Sequence, residues 1–244
     1  MLNSRRVNIA CALIFVMLSK MSIAAPPLPF SAHYDARFQG LKAQAEISLI
    51  PINDSEFIAN STIKIKLFGA TVSTVTENSQ FTWLNDAPRS QHYQYHQSGI
   101  GGRSRSVYFD WQNNLAVATV EEDSVEIQLD GNTLDELSMY TFIKQELYKG
   151  NDEITFAVIY RNIVEEYLYQ VVGEEEVATE AGTFVAIKVE RIRENNDRLT
   201  QLWFAKNNDM LLIKLYQRDP DGDEFEITLS NVVVNGEIVK ADAI

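Results

Sequence analysis

The chain has 244 residues, with 21 Lys and Arg against 34 Asp and Glu and a formal charge of −13. That balance argues against nucleic acid, anionic lipid headgroups and peptidoglycan as whole-surface partners, because like charges repel. One cysteine, Cys11, and three histidines leave little material for disulfides, thiol chemistry, triads or His-based metal sites, so no cofactor and no metal are expected.

Arg5 and Arg6 precede an apolar run from Val7 to Leu18, followed by the small-x-small pattern Ser22-Ile23-Ala24. This reads as a secretory signal peptide over 1–24, too short and wrongly flanked for a permanent span, with a single β-rich domain over 25–244. A lipoprotein would need its cysteine at the end of the apolar run, and Cys11 lies near the beginning. Ser4-Arg5-Arg6 hints at a twin-arginine signal, but Val7-Asn8-Ile9 does not complete it, and ordinary Sec export is preferred. The leader holds Arg5, Arg6 and Lys20 and no acid, so the exported chain is more acidic still. No transmembrane segment is expected once it is removed.

After a stiff lead-in at Pro26, Pro27 and Pro29, alternation with period two predicts an antiparallel meander. Phe30–Phe38 turns at Gly40 into Ala43–Leu49. Further strands read at Phe57–Phe68, Thr71–Trp83, Arg89–Gln97, Ser104–Trp111, Leu115–Val120 and Val125–Leu129. One segment breaks the pattern. Asn132 to Glu136 opens like a capped helix that runs over about 133–149 and stops at Gly150. Its apolar residues spread around much of the circumference, which favours a helix held inside a curved sheet over the alternative of one packed across a single sheet. Strands resume at Glu153–Arg161, Tyr167–Val172, Thr183–Arg193, Leu199–Ala205, Met210–Arg218 and Phe225–Val234. The expected fold is mainly β, a long antiparallel meander forming a curved sheet or half-barrel around one central helix.

Motifs with chemistry are few. His92 and His96 are four apart, but on a strand that is about 13 Å, too far to share a metal. Asp219, Asp221 and Asp223 lack the glycine and glutamate positions of a calcium loop, and they read as a hairpin tip. Glu174 to Glu176 and the run Glu121, Glu122, Asp123 read as solvated faces or turns. Arg103 and Arg105 share a strand face beside the glycine-rich turn 99–102 and could meet an anion or acidic partner, or simply pair with local acids. No nucleophile elbow, phosphate loop or metalloprotease motif is present.

Tyr169-Gln170-Val171-Val172-Gly173-Glu174-Glu175, then Glu180-Ala181-Gly182-Thr183-Phe184, Ile187 to Arg193 and Leu202-Trp203-Phe204-Ala205 carry a resemblance. Together with Leu134-Asp135-Glu136-Leu137-Ser138, they resemble domain of unknown function 3108, a family of exported bacterial envelope proteins. Ala181 and Leu211-Leu212 depart from its pattern, where proline is usual. The resemblance implies a periplasmic location and no known catalytic residues. It also implies a looser, fold-level similarity to the half-barrels of Lol-type lipoprotein carriers. The leading expectation is therefore a non-enzymatic periplasmic protein that binds an apolar or lipid-like ligand or a lipidated partner. A packed interaction protein of envelope assembly is the alternative, and a hydrolase the third. If there is a groove, Phe38, Trp83, Trp111, Tyr140, Phe142 and Trp203 are the candidates to line it.

Overall fold

The computed structural model describes residues 26–131, 133–194 and 198–239. The leader expected at 1–24, with its cleavage site, lies outside these residues. The first meander is β1 (Phe30–Phe38), β2 (Leu41–Pro51), β3 (Glu56–Leu67), β4 (Ala70–Leu84), β5 (Ala87–Gly99), β6 (Arg103–Asp110), β7 (Leu115–Val120) and β8 (Asp123–Gln128). A two-residue strand β9 (Thr133–Leu134) and helix α1 (Ser138–Tyr148) follow. The second meander is β10 (Glu153–Tyr160), β11 (Ile163–Thr179), β12 (Gly182–Ile192), β13 (Leu199–Ala205), β14 (Leu211–Arg218) and β15 (Glu224–Val234), closed off by β16 (Glu237–Ile238).

Within each meander consecutive strands pair, because short hairpins join strands whose alternating faces already match. The two meanders are joined edge to edge by β1 and β15, with Phe38 opposite Phe225 and Phe30 opposite Val234. One antiparallel sheet results, with β8 at one edge and β9 at the other, and it is not closed into a barrel. Only the β9–β10 pair is parallel among the described strands. The chain crosses between the free edges through β9 and α1, which places the helix within the curl of the sheet. Met139, Ile143 and Leu147 pack into one apolar cluster with β1, β2 and β10–β15. Leu137 belongs to a second cluster built on β2–β7, and Tyr140 packs against both. Of the eleven residues of α1, only Tyr148 is exposed, which accounts for apolar positions around much of its circumference.

The turns show why the meander holds its register. Gly99 has φ +80, and a Cβ there would sit 2.3 Å from the Val72 carbonyl oxygen, so only glycine lets β5 leave the sheet at that point. Gly150, at φ +79, ends α1 as its place in the sequence predicts.

Two predicted elements have different limits. The helix begins at Ser138 instead of about 133, because Thr133 and Leu134 pair with Ala157 and Val158 as a strand. Asp135 then takes over the cap: its Oδ1 accepts the amides of Leu137 at 2.9 Å and Ser138 at 2.8 Å. Asn132, read as part of the cap, lies outside the described residues. Strand β11 runs from Ile163 to Thr179, well beyond the Tyr167–Val172 stretch legible from alternation. A bulge between Val171 and Gly173 resets its register, so Glu174, Glu175 and Glu176 continue the strand as exposed residues and form no turn.

Candidate functional site

The concave side of the sheet encloses an apolar cavity of about 160 Å³. One wall is β1–β3, through Tyr34, Ala45, Leu49, Ala59 and Ile63; the facing wall is Phe204, Leu211, Leu215 and Ile227 of the second meander and its β13–β14 turn. Helix α1 supplies Tyr140, Thr141 and Lys144. Small residues make the space: Ala45 and Ala59 are buried on adjacent strands where a larger side chain would fill it.

Two polar points interrupt the apolar wall. Lys144 is paired with Asp209, which also accepts from the Tyr148 hydroxyl at 2.7 Å. Burial pulls the Lys144 ammonium below its ordinary range, against the pull of Asp209. Glu77 occupies an inward position of β4, where Tyr93 donates to its carboxylate at 2.7 Å. Burial raises the Glu77 carboxyl, and the bonds from Tyr93 and Ser61 together with the charge of Arg105 offset part of that rise.

Behind Glu77 lies a buried polar network that positions the start of α1. Arg105 bonds Glu136 at 2.7 Å, with its guanidinium 4.1 Å from the Tyr95 ring centre and 5.6 Å from that of Tyr160. Burial pushes the Glu136 carboxyl up to about 7 despite that cation. Asp135 accepts from the Ser79 hydroxyl at 2.8 Å, and the hydroxyls of Ser90 and Ser138 are 2.9 Å apart. Three carboxylates thus gather near Arg105, but of these only Glu77 reaches the cavity wall. Chemically, the arrangement offers an apolar chamber with a hydrogen-bonding carboxyl at one end and a neutralised ammonium on the helix.

The residues singled out in the sequence are distributed unevenly around this chamber. Tyr140 lines it. Trp111 and Phe142 share a separate surface depression near the β4–β5 turn, where Trp111 donates to the Ser90 carbonyl at 2.6 Å and Phe142 sits edge-on to Phe156 at 5.3 Å. Trp83 packs against the β2–β7 cluster. Phe38 lies at the β1 end, edge-on to Phe225 at 6.4 Å. Trp203 is buried on the outer face between Lys188 and Lys214, and its indole donates to Glu175 at 2.5 Å. Arg105 turns inward to Glu136, while Arg103 stays exposed and donates to Gln97 at 3.1 Å.

His92 sits edge-on to Tyr108 on β5, and His96 lies exposed farther along the strand. Asp219, Asp221 and Asp223 form the β14–β15 tip, closed by the Gly222 amide on the Asp219 carbonyl. Among the described residues no group of three His, Cys, Asp or Glu could hold a metal ion. No helix there is long and apolar enough to cross a membrane.

The sequence reading missed Glu77, Ser61 and Lys144. The usable signal was register: Glu77 falls between Val75 and Ser79 on the inward face of β4, a lone acid where alternation calls for an apolar residue.

Comparison with known proteins agrees with this fold. A search of curated proteins gave no match. Among solved structures, the chain is similar to a β-barrel-like protein of domain of unknown function DUF1849 from Brucella abortus, at 8% identity and a TM-score of 0.56, covering 85% of this chain and 98% of that one. At that identity the likeness concerns the fold alone. The family model described as "Protein of unknown function (DUF3108)" matches residues 32–230, and the chain belongs to that family.

Proposed function

We propose that the protein is an exported, periplasmic binding module that takes the apolar part of a lipid-like ligand between α1 and the concave sheet. The observation that carries this reading is the apolar cavity at Tyr34, Ala45, Ile63, Tyr140 and Ile227, with Glu77 at its wall. Size sets a limit on the occupant. A dry cavity of about 150 Å³ holds a benzene-sized molecule, whereas whole-ligand pockets begin near 300 Å³. The roughly 160 Å³ available therefore suits a ring or a short alkyl segment, and a full acyl chain requires α1 to shift outward. An unionised Glu77 can donate to a ligand oxygen, and an ionised one can accept from a hydroxyl or amine.

The alternative, an interaction protein of envelope assembly, is favoured by one feature. Strand β8 is an exposed edge with unpaired backbone groups, open to strand addition by a partner.

The cavity reading is tested by titrating the chain from Ala25 onward with 1-octanol and following methyl NMR signals. Shifts are expected at Ile63, Leu212 and Ile227, which line the cavity. Ala45→Leu fills it and is expected to weaken binding at least ~10-fold, at a stability cost of about 1–3 kcal/mol. Shifts confined to other methyls, or unchanged affinity in a folded Ala45→Leu protein, would refute the reading.

A further inference from the structure

The hairpin tips at one end of the first meander carry large apolar side chains that the fold leaves exposed. Because the strands run alternately up and down, the β1–β2, β3–β4 and β5–β6 turns all lie at the same end of the sheet. The β3–β4 tip is Phe68-Gly69, with φ of +51 and +83. Three other hairpins use the same left-handed pair, Gln39-Gly40 at +48 and +76, Asn85-Asp86 at +51 and +60 and Asn235-Gly236 at +48 and +82. Polar residues suit the first position of such a turn, which faces water and strains a bulky side chain. Phe68 breaks the rule and is 100% exposed. Leu67 beside it is exposed, Ile100 at the β5–β6 tip is 70% exposed, and Phe38 lies partly open at the end of β1.

Cations surround these tips in a chain whose net charge is −13. Arg37 and Lys42 face each other across the β1–β2 hairpin. Lys64 and Lys66 lead into Phe68, and Arg103 follows Ile100. Lys66 bonds Gln44 at 2.8 Å and Arg103 bonds Gln97, both neutral amides. None of these five residues has an ion pair within 4.0 Å among the described residues. Acidic tips flank the group on both sides, at Glu121 to Asp123 and at Asp219 to Glu224, and they confine any attraction for an anionic surface to the three hairpins between them.

We propose that this end of the sheet docks on a bilayer containing anionic phospholipid, with Phe68 and Ile100 entering the headgroup–acyl boundary and Arg37, Lys42, Lys66 and Arg103 meeting phosphates. Exposed aromatic and aliphatic tips ringed by Lys and Arg are what an interfacial contact requires, and the acidic remainder of the chain holds the rest of the molecule off the membrane. The contact is independent of whatever the interior cavity binds.

The test is co-sedimentation of the chain from Ala25 onward with phosphatidylcholine vesicles, with and without phosphatidylglycerol, at low and high salt. The expected result is binding only when phosphatidylglycerol is present, weakened by salt, and lost at least ~10-fold in Phe68→Asp and in Lys42→Glu/Lys66→Glu. Phe68→Asn should weaken binding while matching or raising the melting temperature, since asparagine suits the turn, and Ile52→Asp at the opposite end should change nothing. Parent protein that stays in the supernatant overturns the proposal, as does Phe68→Asp that pellets as the parent does. A parent dimer that Phe68→Asp converts to monomer, without vesicle binding, assigns the tips to a second copy and overturns it equally.

Discussion

Replacing Asp135 with alanine is expected to lower stability by about 3–5 kcal/mol, among the largest effects of any single substitution in the chain. Asp135 is 0% exposed, and its two oxygens accept from the Leu137 amide, the Ser138 amide and the Ser79 hydroxyl. Alanine strips the cap from α1 and leaves two backbone donors and a hydroxyl buried without acceptors. Asp135→Asn keeps Oδ1 for both amides, and the Ser79 hydroxyl can rotate to accept from the new amide. That variant should cost only about 1 kcal/mol. Urea unfolding followed by far-UV circular dichroism separates the two, and equal midpoints for Asp135→Ala and the parent would show that the start of α1 is held by something else.

Arg105→Leu is expected to cost a similar amount at pH 8, about 3–5 kcal/mol, and distinctly less at pH 5. Arg105 neutralises Glu136 and lies close enough to Glu77 to favour its charged form. Both carboxyls are already raised by burial, Glu136 to about 7 from an ordinary 4.5. A raised carboxyl means the folded chain holds its proton more tightly than the unfolded chain. The resulting penalty is absent below the unfolded value, grows between about pH 4.5 and 7, and is complete above pH 7. Glu136 alone therefore makes the parent less stable by roughly 3 kcal/mol at pH 8 than at pH 4.5. Removing the guanidinium raises both carboxyls further, so the added loss falls on the alkaline side. Denaturation midpoints across pH 5–8 check this, and a pH-independent loss in Arg105→Leu would mean that its packing on Tyr95 and Tyr160 matters and its charge does not.

The fold was largely legible because a one-sided sheet writes its faces into the chain. Ala32, Tyr34 and Ala36 on β1, and Ala43, Ala45 and Leu49 on β2, are buried as alternation demands. Placing α1 within the sheet followed from apolar residues spread around much of its circumference. The helix start was not legible, because Thr133 to Leu137 satisfy both a helix cap and a short strand, and tertiary pairing with Ala157 and Val158 decides between them. Nor was the full length of β11, since a bulge at Gly173 and three consecutive glutamates hide the alternation. Of the six aromatics singled out, only Tyr140 lines the cavity; Trp111 and Trp203 bond elsewhere, to the Ser90 carbonyl and to Glu175, while Ala45 and Ala59 lie on the cavity wall. Ala45 sits opposite Tyr34 and Ile63, and Ala59 opposite Leu49 and Ser79; a short side chain among longer neighbours leaves room, and a list of the largest side chains does not find it.

The claim that the concave face holds an apolar ligand is tested most directly by native mass spectrometry with lipid extraction on protein purified from the periplasm of a Gram-negative host. The account predicts an alkyl- or acyl-containing molecule bound in stoichiometric amount, retained in Phe68→Asp and lost in Ala45→Leu. A clean apo mass for the parent, together with no methyl shifts on adding 1-octanol, would contradict it and leave the exposed β8 edge as the place to look for a protein partner.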